Sequence, residues 1–143
     1  MKLTRADEQL LSLLRENARA STALIARRLD LSRTTVQSRI DRLEREGVIS
    51  GYTVRLHDEY ERGTIRAHIM ITVLPKQMTS VVAALRAMPE LRSLQSVSGA
   101  YDLVAIGAVP TVSDMDVLTD RIGAIDGVGR TTSSIVLSTK FER

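Results

Sequence analysis

The sequence predicts an α+β protein that begins with a helix-turn-helix, continues through a hinge strand and ends in a ferredoxin-like βαββαβ domain with an antiparallel sheet. Three observations predict this arrangement. The first 50 residues combine helix-capping residues with apolar residues at helical spacing, the pattern changes to strict alternation at Ile65, and two similar β-α-β halves follow. We therefore divide the 143 residues into a helix-turn-helix domain (1–50), a hinge strand and linker (51–63) and a C-terminal domain (64–143).

Two capped helices open the chain. Thr4 begins a helix that runs to about residue 16, with Asp7 reaching back to complete a short capping box. Ser21 begins a second helix, and Asp30 forms the turn after it, because Asp tolerates a left-handed backbone conformation. The residues expected to face inward are Leu10, Leu13, Leu14, Leu24 or Ile25, Ala26 and Leu29.

A third helix, over residues 32–46, separates apolar from polar side chains. Its inward stripe at i, i+4 and i+7 consists of Val36, Ile40 and Leu43. The Arg, Thr, Gln and Ser side chains near its exposed N-terminal end are types that pair with base edges in the major groove. Arg39, Arg42 and the helix N-terminus at Ser32 suit phosphates. The candidate DNA-contacting residues are Ser32, Arg33, Thr34, Thr35, Gln37, Ser38, Arg39 and Arg42.

Positive charge is concentrated around these helices. The whole chain carries a formal net charge of only +3, whereas residues 19–45 hold seven arginines against three acidic residues. No aromatic residue lies between residues 4 and 50, so the base stacking that commonly holds RNA and single strands is missing there. The sequence favours sequence-specific binding of duplex DNA. The alternative is a three-helix bundle with a polar outer face and no nucleic-acid partner.

A hinge and a domain of strands and helices follow. Residues 49–56 are rich in β-branched and aromatic residues and predict a strand, and the polar residues 57–63 predict the linker. Met78 and Met88 are expected in the core of the domain beyond. Two helices cover only one face of its sheet, so the other face must meet a subunit or a ligand, which predicts at least a dimer. The expected strands are 65–73, 91–98, 103–109 and 130–139, with helices over 78–88 and from about 113.

Three stretches carry a resemblance to a known family. They are LSRTTV (31–36) leading into RIDRLEREGVI (39–49), then Gly51-Tyr52, and GAYDL (99–103). Together they resemble the Lrp/AsnC family of bacterial and archaeal transcription regulators. The resemblance implies a winged or extended helix-turn-helix joined by a hinge to a domain that forms homodimers. It also implies further assembly into tetramers, octamers or larger forms, and binding of an amino acid or a related metabolite.

The resemblance further implies an effector position between dimers. The turn's backbone amides and the Asp102 carboxylate are expected to hold the carboxylate and ammonium groups of an amino acid. A plain turn between strands is the alternative, since Gly and Asp are ordinary turn residues. Ala100 stands where many members carry a polar residue, which leaves the effector open and an effector-independent architectural protein as a further alternative. The implied effector residues are Gly99, Ala100, Tyr101 and Asp102, with Thr131, Thr132, Ser133 and Ser134 of a neighbouring chain.

The sequence offers little for other chemistry. It has no cysteine and only His57 and His68, which argues against a metal site. Paired carboxylates, a nucleophile with its base and a phosphate loop are all missing, so we expect neither an enzyme nor a cofactor. Relatives of the same build that decarboxylate a modified tetrapyrrole are the remaining enzymatic alternative, for which only His68 is loosely placed. Without a signal-peptide core or an apolar stretch of bilayer length, we expect a cytoplasmic protein with no membrane partner.

Overall fold

The structure is a computed structural model that describes residues 2–61 and 63–143. Met1 and Arg62, the latter within the predicted linker, lie outside the described residues. The chain divides into two compact units, Met1–Arg55 and Leu56–Arg143. Each unit has an apolar core of its own.

Three helices make up the first unit: α1 (Arg5–Glu16), α2 (Thr22–Leu29) and α3 (Arg33–Arg45). Each begins where predicted, because a side-chain oxygen accepts a backbone N–H of the first turn. The Thr4 N–H donates to Asp7 Oδ2 at 2.9 Å and the Asp7 N–H donates to Thr4 Oγ1 at 3.1 Å, which confirms the capping box. Ser21 and Ser32 cap α2 and α3.

The turn between α2 and α3 depends on Asp30. Its φ of 54° lies in the left-handed region, as predicted. The N–H groups of Asp30 and Leu31 both donate to the Ala26 carbonyl and close the end of α2. Of the two inward candidates on α2, Ile25 is the buried one, at 1% exposure. The buried core of this unit is Leu10, Leu14, Ile25, Ala26, Val36, Ile40 and Leu43.

The strand expected after α3 is not formed. Gly47, with a φ of 72°, reverses the chain at the end of α3, and Ile49 then donates its N–H to the Leu43 carbonyl at 3.0 Å. Residues 50–57 take part in no ladder with any described strand. The prediction of a hinge strand over residues 49–56 was therefore wrong for the single chain. A strand needs a hydrogen-bonded neighbour, and β-branched residues alone do not provide one.

A four-stranded antiparallel sheet and two helices form the second unit. The strands lie in the order β2-β3-β1-β4, which confirms the predicted βαββαβ domain. β2 and β4 end earlier than predicted, because their pairing with β3 and β1 ends at Ser96 and Ile135. A 3₁₀ turn, Asp58–Tyr60, precedes β1. The elements are β1 (Ile65–Val73), α4 (Met78–Arg86), β2 (Leu91–Ser96), β3 (Leu103–Val109), α5 (Val112–Gly123) and β4 (Val128–Ile135).

The two helices cover one face of this sheet. Ile69 and Ile71 of β1 are fully buried there against α4 and α5. Met88 packs on the same core, whereas Met78 is 38% exposed because it opens the first turn of α4, which corrects its prediction as a core residue. The opposite side of the sheet, which we call the open face, carries His68, Met70, Val104, Ile106, Thr132 and Ser134.

Candidate DNA-binding and effector sites

α3 carries an exposed polar end above a buried apolar seam. Val36 and Leu43 are fully buried, and Ile40 lies between them at 9% exposure. The four side chains expected to reach base edges are all exposed on the first two turns: Arg33, Thr34, Gln37 and Ser38. The helix therefore keeps its apolar residues for the core and presents its polar residues to a partner.

Ser32 and Thr35 form the cap of α3. Ser32 Oγ accepts the Thr35 N–H at 3.1 Å, and the two hydroxyl oxygens lie 2.8 Å apart. The positive end of the helix dipole is at this cap, where a phosphate is favoured. Thr35 is half-buried and engaged with Ser32, so its predicted contact with DNA is limited to its cap position.

Gln37 is held by its own helix. Its Nε2 donates to Asp41 Oδ1 at 2.7 Å, one turn further along α3. A bidentate contact with adenine uses both ends of a Gln amide. Because the Gln37 amide nitrogen has two N–H groups, one can stay on Asp41 and orient the amide while the other N–H and Oε1 face a base.

Arg42, for which a phosphate contact was predicted, forms an ion pair within the chain. Its Nη2 lies 2.5 Å from Oδ1 of Asp7, a residue that is only 1% exposed. The Arg42 Nε is buried and has no hydrogen-bond partner among the described residues. The guanidinium therefore ties α3 to α1. Arg39, the other arginine of α3 predicted to contact a phosphate, is half-buried, and Arg33, predicted to reach a base edge, is exposed.

The Asp7 carboxylate is ionised more readily than a free one. The Thr4 backbone N–H, followed by the Thr4 hydroxyl and the positive charges of Arg42 and Arg39, holds the pKa of Asp7 below its ordinary value of 3.8. Burial opposes this effect without reversing it. Asp7 is thus a buried anion that serves both a helix cap and an ion pair.

Arg27 is a candidate that the sequence prediction missed. An open groove of about 670 Å³ between the end of α2 and the start of α3 is lined by Arg27 and Arg33, with Asp30 and Ser32 between them. Arg27 is exposed. It belongs to the basic stretch noted in the sequence, but only the geometry of the turn places it in one groove with Arg33.

Gly99 and Asp102 shape the turn between β2 and β3. Gly99 has a φ of 107°, which residues with a Cβ rarely adopt. The Asp102 N–H donates to the Ile71 carbonyl at 2.9 Å, and Asp102 Oδ2 accepts the Val73 N–H at 2.7 Å. One carboxylate oxygen is therefore used within the chain. Oδ1 accepts no hydrogen bond from the described residues and is free for the ammonium group that Asp102 was expected to hold.

The amides of this turn are available. Within the described residues, the N–H groups of Gly99, Ala100 and Tyr101 donate no hydrogen bond. Successive free amides in a turn form a concavity that attracts anions.

Tyr101 lies across one end of the open face. Its hydroxyl is 2.7 Å from Thr132 Oγ1 on β4, and the Arg130 guanidinium carbon is 5.2 Å from the centre of its ring. The Arg130 N–H donates to Thr72 Oγ1 at 2.6 Å, which fixes the start of β4 against β1. The sequence prediction missed Arg130 and Thr72, because strand pairing alone brings Arg130 to Tyr101 and Thr72 to Arg130.

β4 divides its predicted effector residues between two faces. Thr132 and Ser134 pair with Met70 and His68 and lie on the open face. Thr131 and Ser133 pair with Ile71 and Ile69 and lie on the helix side. Of the four, Thr132 bonds a residue of the turn, and it does so within one chain, whereas the resemblance implied a neighbouring chain.

The described part of the chain, residues 2–61 and 63–143, contains no group of three or more His, Cys, Asp or Glu residues that could hold a metal ion. None of the helices in this part of the chain has the length and apolar character needed to span a membrane.

Comparison with known families assigns a domain type to each of the two units. The model for winged helix-turn-helix DNA-binding domains matches residues 3–50, and the model for the Lrp/AsnC ligand binding domain matches residues 66–143, which is more than half of the chain. The chain belongs to the Lrp/AsnC family. Its relatives bear the names of helix-turn-helix transcriptional regulators, and it is a DNA-binding regulator of this family with a ligand-binding domain.

Three comparisons define the relationship further. The regulator LrpA1 of Halobacterium salinarum is 36% identical over 129 residues, which are 90% of this chain and 91% of that protein. The crystal structure of the leucine response regulatory protein LrpA of Mycobacterium tuberculosis has a TM-score of 0.84 at 33% identity, covering 98% of this chain and 96% of that one. An L-Met complex of a Neisseria meningitidis regulator has a TM-score of 0.85 and covers 99% and 94%; at 23% identity it shows the fold alone.

Proposed function

We propose that this Lrp/AsnC family member reads specific duplex DNA sequences through the N-terminal turns of α3. The observation that carries the proposal is the exposed polar set of α3 above a seam in which Val36 and Leu43 are fully buried. A recognition helix meets base edges with its first turns. Arg27 and the capped N-terminus of α3 lie beside this set. Together with Arg33, which belongs to the set and lines the same groove as Arg27, they supply the contacts to phosphates that position the protein.

Base readout is tested by selecting duplexes from a random library with the full-length protein. Gln37→Ala should relax the preference at one base position, at a cost of about 1–3 kcal/mol in discrimination. Arg15→Gln, an exposed change on α1, is the matched control and should leave the selected sequence unchanged. If Gln37→Ala selects the parent sequence at every position, Gln37 does not read a base.

We further propose that a second copy of the chain covers the open face. This face carries Met70, Val104 and Ile106, and both helices of the same unit, α4 and α5, lie on the other face. A symmetric dimer built on it presents two copies of α3, whose half-sites would lie on the order of one helical turn of DNA, about 34–36 Å, or a multiple of it, apart. We expect these dimers to assemble further into tetramers, octamers or larger forms. The mass of the protein in solution tests this, and a monomer at micromolar concentration would contradict it.

For the effector we propose an amino acid bound at the turn before β3. The free amides of Gly99, Ala100 and Tyr101 suit its carboxylate, and Asp102 Oδ1 suits its ammonium group. The Neisseria meningitidis protein of the same fold was solved with L-Met, which supports this class of ligand. Calorimetry against each of the twenty amino acids should give heat with at least one, together with a change in assembly size. No heat with any of them would favour an effector-independent architectural role.

The proposal assigns no catalytic role to the chain. The relatives are named as regulators, which supports a non-enzyme. On the open face, the strand partners of His68 are Ile106 and Ser134, neither of which carries a carboxylate for acid–base work. A visible absorption band from a tetrapyrrole that copurifies with the protein would contradict this part of the proposal.

A further inference from the structure

A pocket lies between α4 and the edge strand β2, on the helix side of the sheet. It has a volume of about 290 Å³, just below the usual range of about 300–1,000 Å³ for ligand sites, so it suits a small ligand. Its floor is apolar, since Leu85 is 1% exposed and three neighbours pack on the same core. Arg86 and Arg92 stand at its exposed rim. The apolar lining residues are Val82, Leu85, Leu91 and Leu94.

Arg92 reaches this rim through a bulge in β2. Leu91 pairs with Gly107 and Ser93 pairs with Ile106, so two steps along β2 match a single step along β3 and Arg92 is the extra residue. The bulge has two effects. It lets both Leu91 and Leu94 belong to the pocket floor, and it interrupts the free edge of β2, which disfavours the addition of an extended peptide there.

The two arginines are not neutralised within the chain. Neither Arg86 nor Arg92 forms an ion pair or hydrogen bond with a side chain in the described ranges 2–61 and 63–143. Glu90, the acidic residue nearest to Arg92 in sequence, is held by Arg121 at 2.7 Å. The pocket therefore combines an apolar floor with two unpaired positive charges, which is a complement to an anion with an apolar body.

We propose that this pocket binds an aliphatic carboxylate that lacks an ammonium group, such as a branched 2-oxo acid. A guanidinium pairs with a carboxylate through two parallel hydrogen bonds, and the apolar floor accepts a chain of roughly leucine size. An amino acid is disfavoured because its ammonium group would lie beside two positive charges. Inorganic phosphate is disfavoured because it leaves the apolar floor in contact with water.

The test uses the full-length protein with leucine methyl groups labelled for NMR. 4-Methyl-2-oxopentanoate should shift the methyl signals of Leu85, Leu91 and Leu94. Leucine, which has an ammonium group in place of the keto group, and 4-methylpentan-2-one, which lacks the carboxylate, should not shift them at the same concentration. Inorganic phosphate should also leave them unchanged.

Arg86→Gln and Arg92→Gln should each raise the dissociation constant of the oxo acid about tenfold, as expected for the loss of one charge-assisted contact. Both side chains are exposed, so the remaining methyl signals should stay in place and report an intact fold. Arg15→Gln is the control and should bind like the parent. The proposal is overturned if leucine, the ketone or phosphate shifts the methyl signals of these three leucines as strongly as the oxo acid does. It is also overturned if a protein carrying both Arg86→Gln and Arg92→Gln binds the oxo acid as tightly as the parent.

Discussion

The variant Arg42→Gln tests whether Arg42 stabilises the fold or contacts DNA. The ion pair joins Arg42, whose side chain is 38% exposed, to Asp7, whose side chain is 2% exposed. Removing one partner of a fully buried pair costs about 3–5 kcal/mol. Exposed pairs contribute at most about 1 kcal/mol. Because one end of this pair is buried and the other reaches water, we expect a loss of about 2 kcal/mol.

That loss is large for a unit of this size. At about 0.05–0.15 kcal/mol per residue, the unit Met1–Arg55 has a total stability of roughly 3–8 kcal/mol. We expect the midpoint of its thermal unfolding to fall by on the order of 10 °C in Arg42→Gln. Circular dichroism of the full-length protein at the helix band measures this midpoint. In a double-mutant cycle with Asp7→Asn, the two losses should not add, because they break the same pair.

The second measurement on Arg42→Gln is the salt dependence of DNA binding. At a temperature where both proteins are folded, Arg42→Gln should keep the salt dependence of the parent, because Arg42 neutralises Asp7 and no phosphate. Arg33→Gln should behave in the opposite way, with an unchanged unfolding midpoint and a salt slope lower by about 0.9. If Arg42→Gln lowers the salt slope by that amount and leaves the midpoint unchanged, the structural role of Arg42 is refuted.

Three further predictions follow from single contacts. The pKa of Asp7 is lowered on folding, so its ionised carboxylate contributes stability above pH 3.8 that is lost as the pH falls through its folded-state pKa. In urea unfolding between pH 6 and 2, the difference in unfolding free energy between the parent and Asp7→Asn should therefore shrink as the pH falls. Gly127→Ala should lower the midpoint of thermal unfolding, because the φ of Gly127 is 97° and an added Cβ would lie 2.7 Å from a side-chain carbon. Gly123→Ala is the control and should leave the midpoint unchanged, because an added Cβ there meets open space at the end of α5. Tyr101→Phe should weaken amino-acid binding several-fold in calorimetry with little loss of stability, because the exposed bond to Thr132 orients the ring.

Local features of the fold could be predicted from the sequence because their physics is local. A cap links a side chain to an amide three residues away, as Thr4, Ser21 and Ser32 do. Strict alternation likewise identifies the buried side of β1 from a few residues. These signals do not depend on where the rest of the chain lies.

The features that the sequence did not reveal depend on distant partners. Arg42 meets Asp7 across 35 positions, and Tyr101 meets Thr132 across 31. A charged residue on a helix has the same local pattern whether it binds phosphate or a buried carboxylate. The expected hinge strand failed for a related reason, since propensity describes one segment and pairing requires two.

The proposed effector site at residues 99–102 also indicates which ligands it could distinguish. The free amides of residues 99–101 would contact the carboxylate of an amino acid, and Asp102 Oδ1 would contact its ammonium group. All amino acids share both groups. Such contacts provide affinity for the class without choosing among its members. The choice must come from side chains that face the variable part of the ligand, and Ala100 offers only a methyl group. Selectivity at this turn is therefore expected to depend on Tyr101, Arg130 and residues of a neighbouring subunit. The pocket beside Arg92 would discriminate by a different principle, because its unpaired charges oppose the ammonium group that the turn accepts.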